Sequence, residues 1–186
     1  MTFRNGAVTM AGTLTRPTTA GRAPAVVLIS GSGAQNRDEE VFGFKVFGLL
    51  ADHLTRQGFA VLRSDDRGVG GSTGSVANST TEDFAGDVAA AVAFLEGRPD
   101  IDRDRIGLLG HSEGGLVAPM VAARLPKTAF IVLLAGPALT GERIMLAQAA
   151  AIARAQGAPD PAIDRNAALQ RRIFAAVRAG GDGLAA

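Results

Sequence analysis

The chain has 186 residues, of which 47% are apolar, and carries a formal charge of +1. That is enough for one domain with a real core, and it excludes a disordered chain. Its charges are scattered rather than clustered, which argues against nucleic acid or an anionic membrane surface as the main partner. It contains no cysteine, so disulfides, thiolate metal sites and cysteine nucleophiles are excluded.

The opening Met1-Thr-Phe-Arg-Asn-Gly6 lacks the charged-then-apolar pattern of a signal peptide, and no apolar run approaches the roughly 20 residues of a membrane span. The expectation is a soluble, cytoplasmic protein, unless an export segment precedes Met1. Val8 to Thr15 alternates apolar and polar residues and predicts a half-exposed strand. Pro17 to Pro24 reads as a turn-rich link. Ala25-Val-Val-Leu-Ile29 is a continuous, largely β-branched run, which predicts a strand buried on both faces.

From about Val41 to Gln57, the positions Phe42, Val46, Leu49, Leu50 and Leu54 follow helical spacing, and Gly58 stops the helix. A strand over 59–62 follows, then a polar loop from Asp65 to about Asn78. Ser79 and Glu82 have the spacing of a capping box for a helix marked by Phe84, Val88, Val92 and Leu95. Residues 105–109 read as a strand, 115–124 as a helix bent at Pro119, and 129–134 as a strand closed by Gly136-Pro137. Strands alternating with helices imply right-handed crossovers and a parallel sheet. The tail from Thr140 is rich in Ala, Arg and Gln, with two helical stretches around Gly157 to Pro161 and no further strand.

The chemistry gathers at Gly110-His111-Ser112-Glu113-Gly114, between the 105–109 strand and the helix after it. A serine hydroxyl is a weak nucleophile unless it is exposed, aligned and next to a base. A sharp strand-to-helix elbow exposes it, and demands small residues two before and two after, which Gly110 and Gly114 supply. The helix also aims free N–H groups at the place where negative charge develops. One oxyanion donor is expected from the N–H of Glu113. The other belongs to the loop Ser30-Gly31-Ser32-Gly33, with Ser32 the leading candidate and Gly33 next. That loop is not a dinucleotide site, because Asn36 stands where the third glycine of G-x-G-x-x-G belongs, and no P-loop signature occurs. Asp65, Asp66 and Arg67 read as a brace for the sheet edge and pocket wall.

Five segments together resemble bacterial α/β-hydrolases of the esterase and serine-aminopeptidase-like group. They are Gly12-Thr-Leu-Thr-Arg-Pro17, Val27-Leu-Ile-Ser-Gly-Ser-Gly33, Asp65-Asp-Arg-Gly-Val-Gly-Gly-Ser72, Gly110-His-Ser-Glu-Gly-Gly115 and Leu133-Leu-Ala-Gly-Pro137. They span most of residues 8–137. Many relatives carry His where Ser30 stands. The resemblance implies an α/β-hydrolase fold, a mostly parallel sheet with helices on both faces, ending here before its last strands. It also implies cofactor-free and metal-free hydrolysis of a small-molecule acyl ester through a Ser-His-Asp triad. Residues 1–137 are then the N-terminal part of the core, and 138–186 the helical start of a lid.

On this fold the acid and base follow the serine in the chain. The two histidines, His53 and His111, both precede Ser112. His53 is expected as a partly buried helical residue, and His111 as packing beside the serine. Glu142, Asp160 and Asp164 read as solvated charges. The expectation is therefore a piece of an esterase that lacks its catalytic His and acid, is inactive alone, and can self-associate through an unfinished sheet edge. A peptidase or amidase of the same fold, and a non-catalytic binding scaffold, are the alternatives.

Overall fold

The computed structural model describes residues 1–18 and 21–180. Two compact units make up the chain, Met1–Gly136 and a second beginning at Pro137. In the first, β1 (Thr2–Asn5) and β2 (Val8–Thr15) form an antiparallel hairpin that turns at Gly6, where φ is +55°. Then come β3 (Ala23–Ile29), a small hairpin of β4 (Glu40–Val41) and β5 (Phe44–Lys45), α1 (Val46–Arg56) and β6 (Ala60–Ser64). The unit closes with α2 (Thr81–Glu96), β7 (Ile101–His111), α3 (Gly114–Arg124) and β8 (Ile131–Leu134).

Six strands form one sheet in the order β1-β2-β6-β3-β7-β8. β6, β3, β7 and β8 run parallel, while β1 and β2 are antiparallel. Side chains of β3 alternate between two cores, as strand geometry requires. Ala25, Val27 and Ile29 pack with Val88, Val92 and Leu95 of α2 and Val117 and Val121 of α3. Val26 and Leu28 pack on the other face with Phe47 and Ala51 of α1. Each such Val or Leu contributes about 1.5–3 kcal/mol by leaving water, so β3 is pinned from both sides, and with it the loop that follows.

Several sequence expectations shift. β1 was not foreseen, because Thr2–Asn5 is short and shows no apolar run. The helix expected from Val41 begins only at Val46. Phe42 and Gly43 both have positive φ, +51° and +81°, and turn the β4–β5 hairpin instead. Phe42 is fully exposed there, so its place in the helical spacing was coincidental. The capping box is Thr80 with Asp83, not Ser79 with Glu82: Thr80 N–H donates to Asp83 Oδ2 at 2.8 Å. Ser79 Oγ donates to the Ser75 carbonyl. As expected, α3 continues through Pro119.

β8 pairs only with β7 among the described residues, and Ile131, Val132 and Leu133 remain 40%, 39% and 47% exposed. The second unit holds α4 (Gly141–Ala155) and α5 (Asp160–Arg178). Glu142, expected as a solvated charge, forms an exposed ion pair with Arg178. Asp160 lies 3.7 Å from Arg154, and Asp164 is exposed. No described helix is long and apolar enough to cross a membrane.

Candidate active site

β7 delivers Ser112 directly into α3. Ser112 has φ +50°, a left-handed conformation that L residues adopt at a cost. It is held there by backbone bonds: its N–H donates to Leu134 O at 2.9 Å, and its carbonyl accepts from Gly115 N–H at 2.8 Å. The turn closes so tightly that a Cβ on Gly110 would overlap the Gly114 carbonyl oxygen. One on Gly114 would overlap the Ile29 carbonyl oxygen, and one on Gly115 would sit 2.5 Å from Gly136 Cα. These glycines admit backbone where any other residue would exclude it.

The loop after β3 comes against the elbow. A Cβ on Gly31 would lie 3.1 Å from Ser112 Cβ, so the loop packs against the serine one residue before the exposed Ser32. Among the described residues, neither the Ser32 nor the Glu113 backbone N–H has an acceptor. The side chain of Glu113 is turned away and held by Thr81 Oγ1 at 2.8 Å. A cavity of about 50 Å³ lies behind the loop after β3, with Ser30, Gly31, Gly33, Asp66 and Glu113 among its lining and Met10, Phe84, Val88 and Val117 as apolar walls; Ser112 and Ser32 are not part of that lining.

The Asp-Asp-Arg loop braces this arrangement. Asp65 is 3% exposed. It takes a two-pronged bond from Arg37, Nε to Oδ1 at 3.0 Å and Nη2 to Oδ2 at 2.6 Å, and accepts the N–H groups of Arg37 and Gly71. Burial works to raise its pKa, but the Arg37 guanidinium and the two N–H donors win and hold it at about 2. Arg67 grips Asp87 in the same way, at 2.6 and 3.0 Å.

Asp66 behaves differently. Burial pushes its pKa up to about 6, against the hydrogen bonds from Ser30 Oγ at 2.7 Å and Gln35 N–H at 2.9 Å, with the Glu39 and Asp87 charges adding to the rise. Ser30 thus ties one end of the loop to Asp66.

His53, expected partly buried, is exposed on α1. His111 directs Nδ1 to Glu39 Oε1 at 2.8 Å, and among the described residues no hydrogen bond joins either histidine to the Ser112 hydroxyl. Glu39 is the residue that sequence reasoning missed. It is 1% exposed and lies against both the elbow and the Gly31 loop. In the acidic run Asp38-Glu39-Glu40 it has the look of a surface charge, and only its bulky neighbours in space distinguish it.

The sequence model described as "Serine aminopeptidase, S33" matches residues 44–172. Esterase EstD of Thermotoga maritima is 34% identical over 134 residues, covering 72% of this chain and 32% of that protein. The uncharacterized protein Rv2307c of Mycobacterium tuberculosis is 31% identical over 114 residues, 61% of this chain and 37% of that one. The chain therefore spans about a third of the length of these curated relatives. Two solved structures share the fold. PA2218 of Pseudomonas aeruginosa has a TM-score of 0.63 at 24% identity, over 86% of this chain and 54% of its own. Est1E of Butyrivibrio proteoclasticus, solved with ferulic acid bound, has 0.59 at 24%, over 68% and 48%. With the family model matching most of its length and a relative 34% identical over 72% of it, the chain belongs to the serine aminopeptidase (S33) family of α/β-hydrolases.

Proposed function

We propose that Ser112 is the nucleophile of an esterase-type serine hydrolase. The observation that carries this reading is the strained Ser112, at φ +50° between a strand and a helix N-terminus, beside two backbone N–H groups without acceptors. A scaffold has no use for such strain. In the reaction, Ser112 Oγ bonds to the carbonyl carbon of a carboxylic ester while its proton passes to a general base. The carbonyl oxygen, now an oxyanion, accepts hydrogen bonds from the N–H groups of Ser32 and Glu113. Collapse of the tetrahedral species breaks the C–O bond of the leaving alcohol, which takes the proton back. Water then hydrolyses the acyl-serine by the same steps.

The base and its acid partner lie outside residues 1–186 in this reading, since neither His53 nor His111 is bonded to Ser112. Removal of a triad member costs orders of magnitude in rate. Residues 1–186 expressed alone should thus turn over p-nitrophenyl acetate no faster than their Ser112→Ala variant. Esterase rates that Ser112→Ala abolishes would show that the base is within the chain. The family's aminopeptidase description supports a second reading, hydrolysis of amides. Comparing p-nitrophenyl acetate with an aminoacyl p-nitroanilide on the protein from the complete reading frame separates the two, and faster anilide cleavage would favour the peptidase.

A further inference from the structure

We propose that Glu39 is a positioning residue of the oxyanion hole, a strut that fixes the Ser32 N–H relative to the Ser112 elbow; this rests on the hydrolase reading above. One carboxylate oxygen makes both connections. Glu39 Oε1 accepts the Gly31 N–H at 2.6 Å and meets His111 Nδ1 at 2.8 Å. Gly31 immediately precedes the first expected donor, Ser32, and His111 immediately precedes Ser112 and the second donor, Glu113. A single atom therefore spans the two chain segments that must meet at one substrate oxygen. A carboxylate facing Nδ1 favours the tautomer that donates from that nitrogen, and the contact turns the ring toward Glu39.

Local bonds seat the backbone of this segment, Glu39 N–H on the Asn36 carbonyl and Phe47 N–H on the Asp38 carbonyl, but they do not require a buried carboxylate at position 39. Glu39 sits at φ +45°, which is strained for a residue with a side chain. Its carboxylate is buried, and Oε2 has no hydrogen-bond partner, so desolvation is left partly uncompensated. Three residues on, the chain turns out to the fully exposed Phe42. Backbone strain, an orphaned buried oxygen and contact with both halves of a reactive turn coincide at one residue. Where local rules are broken together, a functional demand is the expected cause.

Geometry also says why the strut matters for rate rather than for binding. Oxyanion donors act at the oxygen's transition-state position, so a loop that drifts weakens the transition state more than the bound ester. Gly31 already packs within 3.1 Å of the Ser112 Cβ when a Cβ is placed on it, so loop drift moves the donor directly.

The test uses the protein from the complete reading frame, with p-nitrophenyl acetate as substrate and thermal melting to report folding. Glu39→Ala should lower kcat by about 10- to 100-fold, approaching the loss of a whole oxyanion donor, with KM within about twofold. Glu39→Gln keeps a carbonyl for the Gly31 N–H and should recover part of that loss. A Glu39→Ala kcat within twofold of wild type overturns the strut and leaves the Ser112 reading standing. So does a loss in both variants that tracks only their melting, or one confined to KM. A folded wild type with no ester turnover sensitive to Ser112→Ala overturns the hydrolase reading, and the strut with it.

Discussion

The elbow and the Asp65–Ser72 loop leave the C-terminal ends of two strands, β7 and β6, that flank β3 on either side, and they hold their side chains by opposite means. At the elbow the chain is fixed by backbone against backbone, through Gly110, Gly114 and Gly115, and among the described residues the Ser112 hydroxyl has no hydrogen-bond partner. In the other loop every prominent side chain is consumed. Asp65 is bound by Arg37 and Gly71, Ser72 Oγ accepts from Ala11 N–H and donates to the Asp65 carbonyl, and Arg67 is bound by Asp87. A saturated network builds a wall, whereas a strained turn that leaves its hydroxyl unbonded is what the proposed nucleophile requires.

The comparison can be broken at its strongest point first. Gly114→Ala places a methyl group into the Ile29 and Ser30 carbonyl oxygens, neither of which is a flexible side-chain end. It should destabilise the fold by about 4 kcal/mol or more, visible in urea denaturation. A loss under 1 kcal/mol would mean that the turn is looser than described.

The network should cost less to damage, because Asp65 keeps two N–H donors. Arg37→Ala should destabilise by about 3 kcal/mol at pH 7. With its folded pKa near 2, against an ordinary 3.8, Asp65 contributes stability that is present above pH 4. That contribution fades as the pH falls toward 2. The gap between wild type and Arg37→Ala should therefore close over that window, and a gap independent of pH would contradict the charge account.

Asp66 has the opposite sign and the smallest effect. A pKa raised from 3.8 to about 6 means that the folded state holds the proton more tightly, so Asp66 costs stability as the pH rises from 4 through 6. Asp66→Asn removes that slope. Relative to wild type, it should gain about 2 kcal/mol between pH 4.5 and 7.5 in chemical denaturation. No relative gain would place the charged carboxylate in a wetter setting than the loop provides.

Much of this was legible beforehand, and for physical reasons. Ala25 to Ile29 is apolar at every position, which only a strand covered on both faces tolerates, and Gly110 to Gly115 declares a close backbone approach in its composition. Where local signals were degenerate, the reading slipped. Ser79/Glu82 and Thr80/Asp83 both fit one capping pattern a residue apart, and Phe42 fell into helical register although Gly43 turns the chain. Glu39 left no local signal at all. Its burial is created by β3 and β7 meeting in space, 8 and 72 residues away along the chain.

Our proposal stands or falls on whether Ser112 is an activated nucleophile. The direct measurement is labelling of the complete reading-frame product by a fluorophosphonate, followed by peptide mapping, beside residues 1–186 alone. The account predicts rapid, single-site labelling at Ser112 in the complete product, absent in Ser112→Ala, and at least about 100-fold slower labelling of residues 1–186. A complete product that resists the probe, or carries it on another residue, would contradict it.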